Sequence, residues 1–262
     1  MSRQGAPDVR TYFDRESSRY LDERYLRPSC DQLSYQNRRR LALELLGPGP
    51  GRIVDIGSGP GVFSSELLTR GFRVVEVDVS LEMLRESRRR IESDSRERGR
   101  RIRFVEGSLP GLPLAAGAFD AALCIGVLAY VRDPSESIRE IRRILKPGGL
   151  VVLQVSNALC LTARLHSALR GAYRRLGEAL GGPAYPHLRI PLTSFRLGAL
   201  RGVLERAGFQ VDSWVRYDFR PPLVEWVAPS AALAVTRKLQ RLERCEAVGW
   251  AGEGLLLRGR AC

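Results

Sequence analysis

Apolar residues fall into two rhythms along the chain. Short runs rich in β-branched side chains recur at Ile53–Ile56, Phe72–Val77, Arg103–Glu106, Phe119–Ile125, Leu150–Val155 and Phe209–Tyr217, each broken off by glycine, an acid or a turn former. Between them, leucine, isoleucine and valine return at helical spacing among arginine and glutamate. Strand runs that alternate with amphipathic helices predict a parallel α/β sheet. The run Phe119–Ile125 is almost wholly apolar, as expected for a central strand covered on both faces. Helices are predicted over Val62–Arg70, from an N-cap at Ser80 to about Ser95, over Ile138–Leu145, over Phe195–Ala207 with Gly208 as its cap, and from about Ala228 to Arg244. Lys146-Pro-Gly-Gly149 reads as a turn into the next strand, and Gly254–Arg260 as a last strand.

Two further stretches are helical in pattern. Residues 1–50 place Tyr12-Phe13, Tyr20-Leu21, Tyr25-Leu26 and Leu41 to Leu46 among charged groups, and Pro48-Gly-Pro-Gly51 ends them. Leu161, Leu165, Leu169, Tyr173, Leu176 and Leu180 form one stripe with Arg170 and Arg174 opposite, which predicts a helical lid packed on the domain. Such a basic amphipathic helix also fits peripheral contact with a membrane surface.

The chemistry concentrates at Ile53-Val-Asp-Ile-Gly-Ser-Gly-Pro-Gly-Val-Phe63, a strand that breaks into glycines and runs at once into a helix. Gly57, Gly59 and Gly61 permit a tight turn and close approach of a ligand, and the following helix offers unpaired N–H groups. The third glycine comes two positions after the second, one short of the dinucleotide fingerprint, which disfavours NAD. Asp78 ends the next apolar run, where a carboxylate accepts ribose hydroxyls. Adenosine without a pyrophosphate fits both features.

These residues resemble the class I S-adenosylmethionine-dependent methyltransferases. Val54-Asp-Ile-Gly-Ser-Gly-Pro-Gly61 looks like their first motif and Val77-Asp-Val-Ser-Leu-Glu-Met-Leu84 like their second. Phe104-Val-Glu-Gly-Ser-Leu109, Leu112-Pro-Leu114, Ala118-Phe-Asp120 and Leu145-Lys-Pro-Gly-Gly149 follow in the family's order, so the resemblance covers roughly residues 50 to 156. It implies a doubly wound, seven-stranded Rossmann-like α/β sheet in the order 3-2-1-4-5-7-6, with only the last strand antiparallel. It also implies a helical cap at 1–50, a donor-binding core at 51–156, a lid at 157–194, and 195–262 as the closing part of the same domain. The implied cofactor is S-adenosyl-L-methionine. Asp55 and the Gly57 carbonyl suit its α-amino group and Asp78 its ribose, while Val79 and Met83 enclose the adenine. Ser58, Gly59 and Gly61 complete the turn, and Cys124 lies where the methionine part would pass. Tyr20 belongs to the aromatic cap. Ser108 stands where the family commonly has an acid for the adenine amino group, so its hydroxyl or the Leu109 backbone takes that edge.

Composition changes this picture little. The chain has 262 residues and a net charge of +13, but only Lys146 and Lys238 are lysines, so 40 of the 42 basic residues are arginines. The arginines from Arg85 to Arg103 are interleaved with acids and lack aromatic neighbours before Phe104, the pattern of a solvated face, so nucleic acid is not the favoured partner. Five cysteines without a Cys-x-x-Cys pair indicate neither a disulfide framework nor a metal site. The polar first residues and the absence of a long apolar run lead to a cytoplasmic expectation; the oligomeric state stays open. The acceptor is expected to be a small molecule in a biosynthetic pathway, methylated on oxygen. An RNA acceptor, or a methyltransferase-fold protein that binds without turnover, is the alternative. A hydroxyl acceptor needs a base. His187, in the loop after Gly181-Gly-Pro-Ala-Tyr-Pro186, is the candidate, and Tyr130 at the end of the fourth strand is its rival.

Overall fold

The computed structural model describes residues 8–49, 51–94, 96–160, 193–219, 228–243 and 251–262. The lid stripe Leu161–Leu180 and His187 lie outside these residues. The chain starts with helix α1 (Val9–Leu21), a π-helical turn (Asp22–Leu26) and α2 (Cys30–Leu46). Ser29 caps α2 by accepting the Gln32 N–H at 3.0 Å. The α/β alternation then runs β1 (Arg52–Ile56), α3 (Val62–Thr69), β2 (Arg73–Asp78), α4 (Leu81–Asp94), the short α5 (Arg96–Arg100), β3 (Ile102–Glu106) and β4 (Phe119–Ile125). It continues through α6 (Pro134–Ile144), β5 (Leu145–Asn157), a two-residue β6 (Ser194–Phe195), α7 (Leu197–Arg206), β7 (Phe209–Tyr217), α8 (Pro229–Leu239) and β8 (Gly254–Ala261).

The sheet order is β3-β2-β1-β4-β5-β8-β7, and β8 runs antiparallel to both of its neighbours. Setting aside β6, which pairs only with the end of β5, this is the expected 3-2-1-4-5-7-6 order with an antiparallel last strand. Alternate strand residues enter two separate cores. Ile53, Val74, Ala121, Leu123 and Val152 pack beneath α2 and α3, whereas Val54, Val75, Ala122, Cys124 and Val151 pack with Ile138, Ile141 and Ile144 of α6 and Leu200 and Leu204 of α7. Period-two strands buried on both faces leave only their carboxyl ends open, which is where a doubly wound sheet binds ligands.

Three local expectations are corrected. Helix α6 begins at Pro134, before Ile138, because Asp133 accepts the N–H groups of Ser135 and Glu136 and Pro134 occupies the first turn. Ser194 and Phe195 do not open a helix: they pair in parallel with Ser156 and Asn157, so sheet pairing overrides their helical spacing and α7 starts at Leu197. Lys146-Pro-Gly-Gly149 is carried inside β5, where the register against β4 shifts between Phe119 and Ala121. Among the described residues, no helix is long and apolar enough to cross a membrane.

Candidate functional site

The glycine turn is fastened to β2 before any ligand arrives. The N–H groups of Gly57 and Ser58 donate to the Val77 carbonyl at 2.7 and 3.3 Å. Gly57 has φ +68°, and a Cβ there would collide with a methyl group of Val127. Glycine is therefore required both by backbone conformation and by space. Gly59, at φ +54°, has nothing within 4 Å of where a Cβ would stand. The backbone here lines an open cradle that accepts a close ligand.

Asp78 ends β2 and is 7 % exposed. Gly59 N–H donates to its Oδ2 and Ser80 N–H to its Oδ1, both at 2.8 Å. Burial raises its pKa, and the Ser80, Gly59 and Val79 N–H groups draw it back toward the charged form. Each carboxylate oxygen keeps a second lone pair, so a fixed, bidentate acceptor faces the cradle as a ribose diol requires.

The other expected residues divide by depth. Val79 is half-buried and Ser108 exposed, both at the rim, while Leu109 is 9 % exposed. Met83 is 1 % exposed and packs within α4's inner face, and Cys124 is fully enclosed in the α6-side core, where burial pushes its thiol far up. Cys124 thus faces α6, and Gly126, two residues on, stands at the open strand end. The Ser58 side chain points down to Glu76 Oε2 at 3.3 Å, and its carbonyl accepts the Gly61 N–H at 3.2 Å, so Ser58 serves the turn itself. Asp55 is 1 % exposed, accepts from Ser64 Oγ at 3.0 Å, and is pushed up to about 7 by burial.

The cap crosses these strand ends with no buried residue of its own in α1. Arg10 pairs with Glu106 at the end of β3 at 2.6 Å, and Ser80 Oγ donates to Asp14 Oδ1 at 2.6 Å beside Asp78. Phe13 meets the Tyr130 ring edge-on at 5.5 Å beyond β4. From Phe13 the edge-to-face contacts continue to Tyr20 at 6.3 Å, then Tyr35 at 6.4 Å and Tyr25 at 5.2 Å. Burial pushes the Tyr130 phenol up to about 12, so at neutral pH it carries its proton and can donate a hydrogen bond.

Sequence reasoning missed Arg38. From α2 its guanidinium stacks 4.1 Å from the Tyr35 ring and donates to Tyr25 at 3.4 Å, while its Nε is buried without a hydrogen-bond partner. A Cβ on Gly126 would lie 3.5 Å from both Arg38 Nη1 and Gln154 Oε1, which puts this cation at the carboxyl ends of β4 and β5. In the sequence it is one of three successive arginines, and no pattern separates it from its solvated neighbours. Phe13-Asp14 resembles the start of the family's cap, but the bond from Ser80 to Asp14 could not be foreseen from the sequence. The cradle at Gly59, the pinned Asp78 and the incompletely bonded Arg38 fit the adenosine and amino-acid parts of S-adenosylmethionine.

A family model described as "Methyltransferase domain" matches residues 54–153. The ubiquinone/menaquinone biosynthesis C-methyltransferase UbiE of Syntrophotalea carbinolica is 33 % identical over 219 residues, 78 % of this chain and 86 % of that protein. The demethylmenaquinone methyltransferase of Renibacterium salmoninarum is 36 % identical over 121 residues, 45 % of this chain; the match spans 48 %, about half, of that protein's length. Among solved structures, the methyltransferase in complex with the Haloferax volcanii Trm112 methyltransferase activator superposes with a TM-score of 0.66 at 23 % identity, covering 97 % of this chain and 99 % of that one. Magnesium protoporphyrin IX methyltransferase from Synechocystis, with bound SAH, gives 0.65 at 15 % identity, covering 97 % and 98 %. On this match the chain belongs to the class I S-adenosylmethionine-dependent methyltransferases.

Proposed function

We propose that this methyltransferase acts in a biosynthetic pathway on a small, flat, hydroxylated aromatic acceptor and places the methyl group on a ring carbon beside the hydroxyl. The observation that carries this reading is the row of edge-to-face rings from Tyr35 through Tyr20 and Phe13 to Tyr130, an aromatic environment between the cap and the residues after β4 that suits an aromatic ring. The sequence led to oxygen as the acceptor atom; the relative named a C-methyltransferase supports carbon instead. A phenolate is nucleophilic at both atoms.

The bound donor supplies an electrophilic methyl group on a sulfonium, and the protein's part is alignment and exclusion of water. Asp78 holds the ribose, the Gly57 carbonyl with Asp55 behind it receives the α-amino group, and Arg38 takes the α-carboxylate. Tyr130 donates a hydrogen bond to the acceptor oxygen. Proton removal from that oxygen is assigned to His187, outside the described residues; after the methyl group reaches the ring carbon, that carbon gives up its own proton to water as the phenol re-forms. The cap, fixed at three strand ends by Arg10, Phe13 and Asp14, keeps water from the reacting atoms.

The test is to supply donor with a carbon-13 methyl group, a panel of hydroxyaromatics and a cell extract, and to read the product by NMR. An aryl-methyl signal is expected. A methoxy signal would return the acceptor atom to oxygen, and label in RNA or lipid would overturn the small aromatic acceptor.

A further inference from the structure

Beneath the glycine turn, on the face covered by α3 and α4, two carboxyl groups stand side by side. Asp55 of β1 is the register partner of Glu76 of β2, and the residues are 1 % and 0 % exposed. Glu76 reaches the turn from below. Ser58 Oγ lies 3.3 Å from its Oε2, and Ser87 Oγ, from α4, 2.8 Å from its Oε1. A Cβ on Gly61 would stand 2.8 Å from the same Oε1, so the turn's last glycine rests on this carboxyl group.

Every neighbouring element has been assigned to a neutral or acidic contact. From β1 comes Asp55, from α3 the hydroxyl of Ser64, from the turn Ser58, from α4 Ser87, and from β3 the register partner Phe104. Asp78 lies further along β2 itself. Arg90 of α4 is close enough to feel the Glu76 carboxyl, but among the described residues it forms no ion pair with it and donates instead to the carbonyls of Pro60 and Gly61 and to Ser65 Oγ. Two adjacent buried carboxylates without an ion-pair partner cannot both be charged at modest cost.

We propose that Glu76 is a positioning residue for the donor-binding turn, and that it supports the turn as an uncharged carboxylic acid whose deprotonation weakens donor binding. A neutral carboxyl has one oxygen to accept from Ser87 and one O–H to offer Ser58, whose hydroxyl rotor turns to receive it. Ionised, it repels Asp55 and gains solvation only by parting from Ser58 and the Gly57–Gly61 turn. Burial, followed by the charge of Asp55, pushes Glu76 up to about 8, so this change falls within reach of experiment.

The inference rests on the donor-site reading, and the readout is binding of S-adenosylhomocysteine by calorimetry from pH 6 to 9.5, independent of any acceptor. One pH unit above 8, about a tenth of Glu76 remains protonated, so wild-type affinity is expected to fall about tenfold by pH 9. Glu76→Gln should bind as wild type at pH 7 and change by less than about twofold from pH 8 to 9, above the region in which Asp55 titrates. Ser87→Ala, which removes a bond that favours the charged form, should move the fall to higher pH. Melting temperatures are recorded alongside. An acid with a raised folded pKa leaves stability full at low pH and erodes it as pH rises from the ordinary carboxylate range through about 8, and Glu76→Gln should flatten that slope. If wild type fails to bind at pH 7, the donor-site reading fails and takes this inference with it. If wild type binds but Glu76→Gln keeps the full alkaline loss, or binds at pH 7 as poorly as Glu76→Ala, Glu76 does not act as a neutral support. A pH-dependent melting temperature with pH-independent binding would likewise make its role structural alone, and should Glu76→Gln not fold, an unmoved fall in Ser87→Ala overturns the proposal.

Discussion

The halves of the site proposed for the donor and for the acceptor are built by different means. The donor half is made of contiguous backbone: a strand, three glycines at positive φ, and an aspartate pinned by two N–H groups at 2.8 Å. The acceptor half is made of side chains delivered from α1, α2 and the residues after β4, namely Phe13, Tyr20, Tyr35 and Tyr130. A backbone cradle tolerates almost no substitution, whereas a wall of packed rings changes by increments. Mutations in the two halves should therefore differ in size and in the ligand they affect.

The largest effect is expected at the turn. Gly57→Ala forces a Cβ into Val127 at φ +68°, and S-adenosylhomocysteine affinity should drop roughly a hundredfold, about 2.7 kcal/mol. The double variant with Val127→Ala should recover part of it, since space is restored but backbone strain is not. No recovery would mean that the Val127 contact is irrelevant.

Arg38→Ala should come next and should separate the ends of the donor. Losing charged hydrogen bonds is expected to weaken S-adenosylhomocysteine about tenfold to a hundredfold, while 5′-methylthioadenosine, which has no amino-acid part, changes by less than about twofold. Equal losses for both ligands would remove Arg38 from the carboxylate.

Phe13→Ala is expected to give the smallest effect on ligand binding, because its edge-to-face contacts, with Tyr12, Tyr20 and Tyr130, are each worth about 0.5–1.5 kcal/mol. The acceptor KM is expected to rise severalfold with S-adenosylhomocysteine affinity within about twofold. A loss of donor affinity larger than the change in KM would place Phe13 over the donor.

The contrast also explains what was legible in the sequence. The tight glycine turn and the acid at the end of β2 could be read because each depends on residue type at fixed local spacing, whereas the strand order followed from the family resemblance. Arg38 could not: its significance comes from Tyr35 and from Gly126 and Gln154, far away in the chain, which turn one arginine of a basic run inward. Cys124 shows the reverse. Its position at a strand's carboxyl end suggested a site, but strand alternation directs its side chain into the α6-side core. Glu76 was passed over as one polar residue within an apolar strand, and its burial beside Asp55 appears only when β1 and β2 are paired.

The most direct measurement is a calorimetric titration of wild type and Asp78→Ala with S-adenosylhomocysteine and with NAD at neutral pH. The glycine turn and Asp78 should give wild type roughly micromolar affinity for S-adenosylhomocysteine, about 8 kcal/mol, and no heat with NAD. Removing the carboxylate should cost at least about tenfold. Equal heats from both proteins, or binding of NAD by wild type, would contradict the assignment of this site to the methyl donor.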